Sequence, residues 1–326
     1  MILIEKCPVC LSNKIKFSFK NKDRITNVKG EFNLWNCSKC NAYFINPTLS
    51  KIELFDFYPN IYYSFSKYDK TNIVRKFELW YLKNIMTRKD TINYHFTKII
   101  NPILTSTKVI KKRYIPFIKE GKLLDIGCGS GDFIDKMKYM GMIVEGVDPF
   151  AKKDSLNNVK IHCVELEKAH LKNKDFDVIT LNHVLEHTQN PHVIFSKVKR
   201  ILKDKGIFVI GVPNSNSIFS KIFKEYWIHW DTPRHVIMHN INTLNYLAKI
   251  HGFKIISTRF VSDTKVINNA ILNILKEKKR LSFLKNIIMS DVIAMLLWPF
   301  YKSINLIFRS GDHLEIIMTK NIKGES

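Results

Sequence analysis

Apolar positions recur along this chain with different periods, and each period marks a different kind of element. KIKFSF (14–19) and FNLW (32–35) alternate apolar and polar residues, the period of half-buried strands. From about 69 to 96 the apolar residues Ile73, Phe77, Trp80, Tyr81 and Ile85 keep mostly to one face of a helix, and a second helical stretch covers about 104–118. From residue 122 short apolar runs alternate with amphipathic stretches. Strands are predicted at 122–126, 142–150, 159–164, 175–187 and 206–214, with helices at 133–140 and 190–204. A further helix and strand occupy 241–260, and a last strand 313–321. That alternation predicts an α/β fold, a doubly wound, seven-stranded, mostly parallel sheet with helices on both faces.

The first strand of this series runs into a glycine loop, LLDIGCGSGDF (123–133), with Gly127, Gly129 and Gly131. Glycines there permit positive φ and close approach of backbone to a ligand, and the helix that follows offers free N–H groups to a negative group. The spacing is G-x-G-x-G and not the G-x-G-x-x-G of dinucleotide sites, because position 132 is Asp. The next strand, in MIVEGVDPF, ends in Asp148, 17 residues past the loop, where a carboxylate is placed to accept both hydroxyls of a ribose.

A different chemistry stands at the N-terminus. Cys7 and Cys10 form one C-x2-C pair and Cys37 and Cys40 another, with strand-like segments between them. Four thiolates in two close pairs suit a tetrahedral, structural zinc, and so short a segment needs such a staple. A zinc ribbon is therefore expected over 1–50, then an aromatic and helical connector or lid over 51–115. The sheet domain follows over 116–262, a helical insertion over 263–310, and the last strand with its tail over 311–326.

LLDIGCGSGDF, EGVDPF, FDVITLNHVLEH and ILKDKGIFVIGVPN resemble the successive motifs of class I S-adenosylmethionine-dependent methyltransferases, which have a Rossmann-like fold. The four-cysteine start and the stretch WIHWDTPRH (227–235) are similar to features of bacterial sugar and glycan methyltransferases. The resemblance implies S-adenosylmethionine as cofactor. Gly127, Gly129 and Gly131 would pass its methionine end, and Asp125 would orient its amino group. Asp148 would hold the ribose, Pro149 and Phe150 would lie beside the adenine, and Asn182 and His183 near the sulfonium. The implied acceptor is a carbohydrate, a nucleotide sugar or a glycan or lipid-linked intermediate of surface polysaccharide synthesis.

An oxygen acceptor needs a base, and a histidine is suited to that near neutral pH. His187 follows Glu186 at the end of the fourth strand of the series, on the edge where open α/β sheets bind ligands. Glu186 could orient it, or the two could simply cap the following turn. In WIHWDTPRH, His235 is a second candidate base that Asp231 could orient. Trp227 and Trp230 could stack on a ring, and Arg234 could clamp a phosphate or carboxylate. The alternative is a structural corner with buried tryptophans and an Asp231–Arg234 pair.

The formal net charge of +23 attracts polyanions, or else reflects lysines that only solvate the surface. An RNA methyltransferase using the zinc ribbon and basic surface is the alternative function, but most cations are scattered lysines with no interleaved aromatic platform. The insertion is apolar and basic, which fits peripheral contact with an anionic membrane, a homodimer interface or simple core. No signal peptide and no run of 18 apolar residues is visible, so the expectation is a cytoplasmic protein, monomer or homodimer, acting on a small-molecule or glycan acceptor.

Overall fold

The computed structural model describes residues 1–26, 28–58, 117–151, 159–261, 264–277 and 307–322, with a few isolated positions besides. The lid expected over 51–115 and the second helix of the insertion fall mostly outside the described residues.

The N-terminal strands form as the alternation predicts. β1 (Ile15–Lys22) pairs antiparallel with β2 (Glu31–Cys37), from Ile15 opposite Cys37 to Lys22 opposite Glu31. β2 continues the sheet to β3 (Tyr43–Ile45). A short helix, α1 (Lys51–Phe55), starts at Ser50, whose side chain and backbone form a capping box with Glu53.

The second sheet begins with β4 (Lys122–Ile126), which pairs in parallel with β5 (Ile143–Val147), and β5 pairs in parallel with β6 (Lys160–His162). β7 (Phe176–Asn182) and β8 (Leu202–Pro213) follow, then a two-residue strand, β9 (Ile237–Met238), and β10 (Phe253–Val261) antiparallel to β11 (His313–Lys320). The order is β10-β11-β8-β7-β4-β5-β6, seven strands as expected. β9 goes elsewhere. It pairs with β3, so the four-cysteine segment completes its own sheet with a strand from far along the chain.

Among the described residues these strands are accompanied by α2 (Asp132–Tyr139), α3 (Pro191–Ile201), α4 (Ile218–Phe223), α5 (Ile241–Ile250) and α6 (Thr264–Glu277). β7 ends earlier than the apolar pattern suggests, because His183 takes a φ of 53° and turns the chain. β8 starts earlier, directly after α3. β7 supplies Val178, Ile179 and Leu181 to the core, and β4 supplies Leu123 and Leu124. Each such side chain is worth about 1.5–3 kcal/mol on full burial.

The chain packs as two compact units, Met1–Asn60 with Leu181–Lys199 and Val209–Ser326, and Ile61–Thr180 with Arg200–Phe208. In the first unit Val266 and Ile267 of α6 join Leu34, Phe219, Trp227, Trp230 and Met238 in one apolar cluster. The first helix of the insertion is thus core. Among the described residues no helix is long and apolar enough to cross a membrane.

Candidate active site

The glycine loop lies in the second unit. Gly127, Gly129 and Gly131 have φ of 71°, 53° and 80°, all in the left-handed region where a side chain is strained. The loop closes through Gly127 N–H to the Val147 carbonyl at 2.7 Å and Gly131 N–H to the Cys128 carbonyl at 2.9 Å. Gly131 caps α2 with no side-chain cap, so the positive end of that helix faces the glycine loop. Asp148 Oδ2 accepts the Gly129 N–H at 2.9 Å and Oδ1 the Phe150 N–H at 2.8 Å, which ties the acid to the loop. Burial raises the pKa of Asp148 against those two N–H groups and that of Ala151. Asp125 is buried and accepts the Thr180 hydroxyl at 2.6 Å. Phe150 is half exposed and Pro149 is exposed. Cys128 fills a small space beside Gly146, as its burial suggests.

The acid and histidines lie in the first unit. After Asn182 the His183 N–H bonds the Gly211 carbonyl at 2.8 Å, and a 3-10 turn, Leu185–His187, carries Glu186 inward. Gly211 makes room for Asn182, whose Oδ1 would lie 2.7 Å from a Cβ there. Asn182 Nδ2 is buried with no hydrogen-bond partner among the described residues. Glu186 is fully buried. Its Oε1 accepts from His183 Nδ1 at 3.2 Å, while Oε2 has no partner among the described residues. Burial alone would raise its pKa, but His183, His235 and His187 bring it down to about 2.

His187 and His235 stand edge to face with ring centres 4.7 Å apart. His187 Nδ1 lies 3.1 Å from the Arg234 carbonyl, and the Tyr58 hydroxyl is 2.9 Å from the same nitrogen. His235 Nδ1 lies 2.7 Å from the His229 carbonyl. A carbonyl only accepts, so Nδ1 of His235 carries the proton and its Nε2 holds the lone pair of the neutral form. In His187 the contact to the Arg234 carbonyl selects the same tautomer when the Tyr58 hydroxyl accepts from Nδ1. Burial, then the nearby His235, pushes His187 down to about 4, so it is neutral at pH 7. An uncharged imidazole with its Nε2 bare is a general base. The ligand atoms of Glu186, His187 and His235 also lie within 4.8 Å of one another, a donor set able to hold a cation.

WIHWDTPRH is a corner, and three expectations about it are corrected. Trp227 and Trp230 are 1% and 3% exposed, so neither offers a face for ring stacking. Their indole N–H groups are satisfied inside, Trp227 by Asp312 Oδ1 at 2.9 Å and Trp230 by the Lys224 carbonyl at 2.7 Å. Arg234 is no open clamp for a substrate anion. It is fully buried and forks onto Asp23, at 2.8 and 3.2 Å, and onto Asp231, with Nε 3.0 Å from Oδ1. Asp231 does stand beside His235, with Oδ2 3.7 Å from Nε2. The sequence singles out none of Asp23, Tyr58, His229 and His313. His229 and His313 pack ring on ring at 4.4 Å, and only the histidine content of the corner hinted at such a nest.

Cys7, Cys10, Cys37 and Cys40 are buried and their sulfur atoms lie within 4.8 Å of one another. Cys7 Sγ is 3.6 Å from Cys40 Sγ, and Cys10 Sγ 3.5 Å from Cys37 Sγ. These are too long for disulfides and close to the roughly 3.8 Å edge of a tetrahedron with 2.3 Å zinc–sulfur bonds. The Cys40 thiol beside Cys7 favours the Cys7 thiolate, the same contact holds Cys40 protonated, and burial pushes the Cys10 thiol up to about 11.

Residues 107–258 match a protein family described as "Methyltransferase domain". The ubiquinone biosynthesis O-methyltransferase of Glaesserella parasuis is 35% identical over 114 residues, which are 28% of this chain and 45% of that protein. An uncharacterised protein of Methanocaldococcus jannaschii is 32% identical over 117 residues, 35% of this chain and 54% of its own. The chain spans about half the length of the curated relatives it matches. Among solved structures, a SAM-dependent methyltransferase from Archaeoglobus fulgidus aligns with 71% of this chain and 100% of its own, at 22% identity and a TM-score of 0.44.

Proposed function

We propose that this chain, which carries a methyltransferase domain over residues 107–258, moves a methyl group from S-adenosylmethionine to the oxygen of a hydroxylated ring. The observation that carries the reading is the glycine loop with three left-handed glycines, joined through the Gly129 N–H to Asp148. In that arrangement Asp148 accepts the ribose hydroxyls and the half-exposed Phe150 lies beside the adenine. The positive end of the α2 dipole, set by the glycine loop, receives the donor's carboxylate, and Asp125 orients the amino group through the loop. Asn182, whose Nδ2 has no partner among the described residues, belongs to the sulfonium end of the site. The donor supplies an electrophilic methyl on a positively charged sulfur, and the sulfur leaves as a neutral thioether.

The residues then have two tasks, alignment and proton removal. Alignment of nucleophile and methyl is worth up to about 7 kcal/mol or more. The acceptor hydroxyl gives its proton to Nε2 of His187 or His235 as its oxygen bonds the methyl carbon. Glu186 balances the imidazolium that results. The four cysteines hold a structural zinc, which leaves no open coordination position for catalysis.

Two acceptor classes compete. A carbohydrate follows from the resemblance of the N-terminal module and the 227–235 stretch to sugar methyltransferases, although the buried tryptophans remove the expected stacking platform. A hydroxylated aromatic ring is favoured by relatives that bear the name ubiquinone biosynthesis O-methyltransferase. Calorimetry with S-adenosylhomocysteine tests the donor site, and absence of binding by the folded protein would end the reading. Labelled donor offered with nucleotide sugars, with a prenylated catechol and with bulk RNA then sorts the acceptors. Label in RNA alone would overturn the hydroxylated-ring assignment.

A further inference from the structure

The loop after β1 is joined to the two histidines through Arg234. Asp23 is buried, and its carboxylate receives Arg234 as a fork, Nη2 to Oδ1 at 2.8 Å and Nη1 to Oδ2 at 3.2 Å. The acid is itself held by the N–H groups of Ile25, Thr26 and Val28, at 2.8, 3.0 and 3.1 Å. Arg234 Nη1 also donates to Thr26 Oγ1 at 2.8 Å and to the Phe57 carbonyl at 3.1 Å. The residues beside Asp23 grip the same corner. Asn21 Nδ2 donates to Thr232 Oγ1 at 3.0 Å, and Arg24 Nη1 to the Glu225 carbonyl at 2.9 Å.

Arg234 in turn carries both rings. Its carbonyl takes the His187 Nδ1–H, and its guanidinium holds Asp231, whose other oxygen faces His235 Nε2 at 3.7 Å. The backbone repeats the connection. The Ile45 N–H of β3 bonds the Val236 carbonyl at 3.1 Å, and the Val236 N–H bonds the Glu186 carbonyl at 2.8 Å. Side chain and main chain therefore lead from the four-cysteine segment to the same three residues.

We infer that Asp23 is a positioning residue for the candidate base, fixing through Arg234 the tautomer and orientation of His187 and His235. The four-cysteine segment is then a working part of the acceptor site as well as a metal-stapled folding unit. The role of the histidines rests on the function proposed above, but their geometry does not. A bidentate carboxylate holds a guanidinium in one plane, and an amide at position 23 cannot, since it offers one acceptor and a repelling donor.

The test uses the full chain, zinc-loaded, with 15N-labelled histidine and long-range proton–nitrogen spectra. His187→Gln and His235→Gln identify the two ring systems. Wild type shows both as Nδ1–H tautomers with bare Nε2. In Asp23→Asn either ring averages between tautomers, while the signal of His162 stays as it was. With an acceptor in hand, kcat falls about tenfold and acceptor KM stays within about twofold, since a misaligned base affects the transition state and not ground-state binding. Asp23→Glu, which restores the fork, recovers part of the loss. Should Asp23→Asn fail to fold, Thr26→Val removes one Arg234 contact, keeps the ion pair and gives the same change at smaller amplitude. Wild-type tautomers in a folded Asp23→Asn, or in Thr26→Val where that variant decides, would overturn the inference. Failure of wild type to bind S-adenosylhomocysteine would defeat the donor reading and leave the tautomer result to stand by itself.

Discussion

The function proposed above asks Asp148 to do two jobs with one carboxylate. Its oxygens order the loop through the Gly129 and Phe150 N–H groups, and the proposed donor site asks the same carboxylate to accept the ribose hydroxyls. Hydrogen bonds to a charged acceptor are worth about 1.5–3 kcal/mol. Asp148→Asn keeps one acceptor oxygen and sets a donor against the other N–H, so it should weaken S-adenosylhomocysteine binding roughly 10- to 100-fold by calorimetry and lower the melting temperature as well. Unchanged affinity would mean that the acid is only a loop clasp. Other single residues resisted reading. Trp227 and Trp230 sit in an irregular stretch, where aromatics suggest an open face. Yet Phe19 and Tyr43, from strands some 190 to 210 positions earlier, lie edge-on to Trp230 at 5.1 and 5.2 Å and close that face. Asp23 lay in a plain turn, and nothing local announces a partner 211 positions away.

Elements with their own local punctuation were legible, and elements defined by a distant partner were not. β4 is found where its apolar run predicts it, because Gly127 and its positive φ end the strand in the sequence itself. The spacing of the four cysteines likewise carried their meeting. β9 has two residues and exists only because β3 lies beside it, so no periodicity could show it. Two predictions belong at this scale. In β5 a Cβ on Gly146 would lie 2.7 Å from both Cys128 Sγ and Ile134 Cδ1, joining the strand, the glycine loop and α2 at one point. Gly146→Ala should cost about 1–3 kcal/mol by overpacking and loosen donor binding, seen as a lower denaturation midpoint and a larger dissociation constant; Gly146→Ala with Cys128→Ala should regain part of both. Removal of metal from the four-cysteine site with a strong chelator should unpair β1 to β3 and expose the amides of β9 to exchange. Protection of Ile237 and Met238 that survives chelation would show that the sheet holds without a metal.

Several imidazoles of the molecule are buried, His239 and His235, or half-buried, His187, His229 and His313, and they set the response to acid. Burial, and then neighbouring histidines where present, holds His187 at about 4 and His313 at about 3, and burial holds His239 at about 4. An unfolded histidine takes its proton near 6.5. In each case the folded pKa lies below the unfolded one, so the unfolded chain binds the proton first as pH falls. Stability is thus complete above about pH 6.5 and is lost through the window down to about 4, on the order of 3 kcal/mol for each such group. Glu186, held at about 2, adds its own loss only below its ordinary range near 4.5. The losses act in the same direction and are large against a total of about 5–15 kcal/mol. The acid unfolding midpoint should therefore lie between about pH 4 and 6, with more than one proton taken up per chain as the protein unfolds. Urea titrations at half-unit steps from pH 7.5 to 4.5 measure that slope. A flat line would mean that the nest already holds protons, or a cation, in the folded state. The imidazole lone pairs would then be unavailable to an acceptor hydroxyl, and the base would have to be sought outside this cluster.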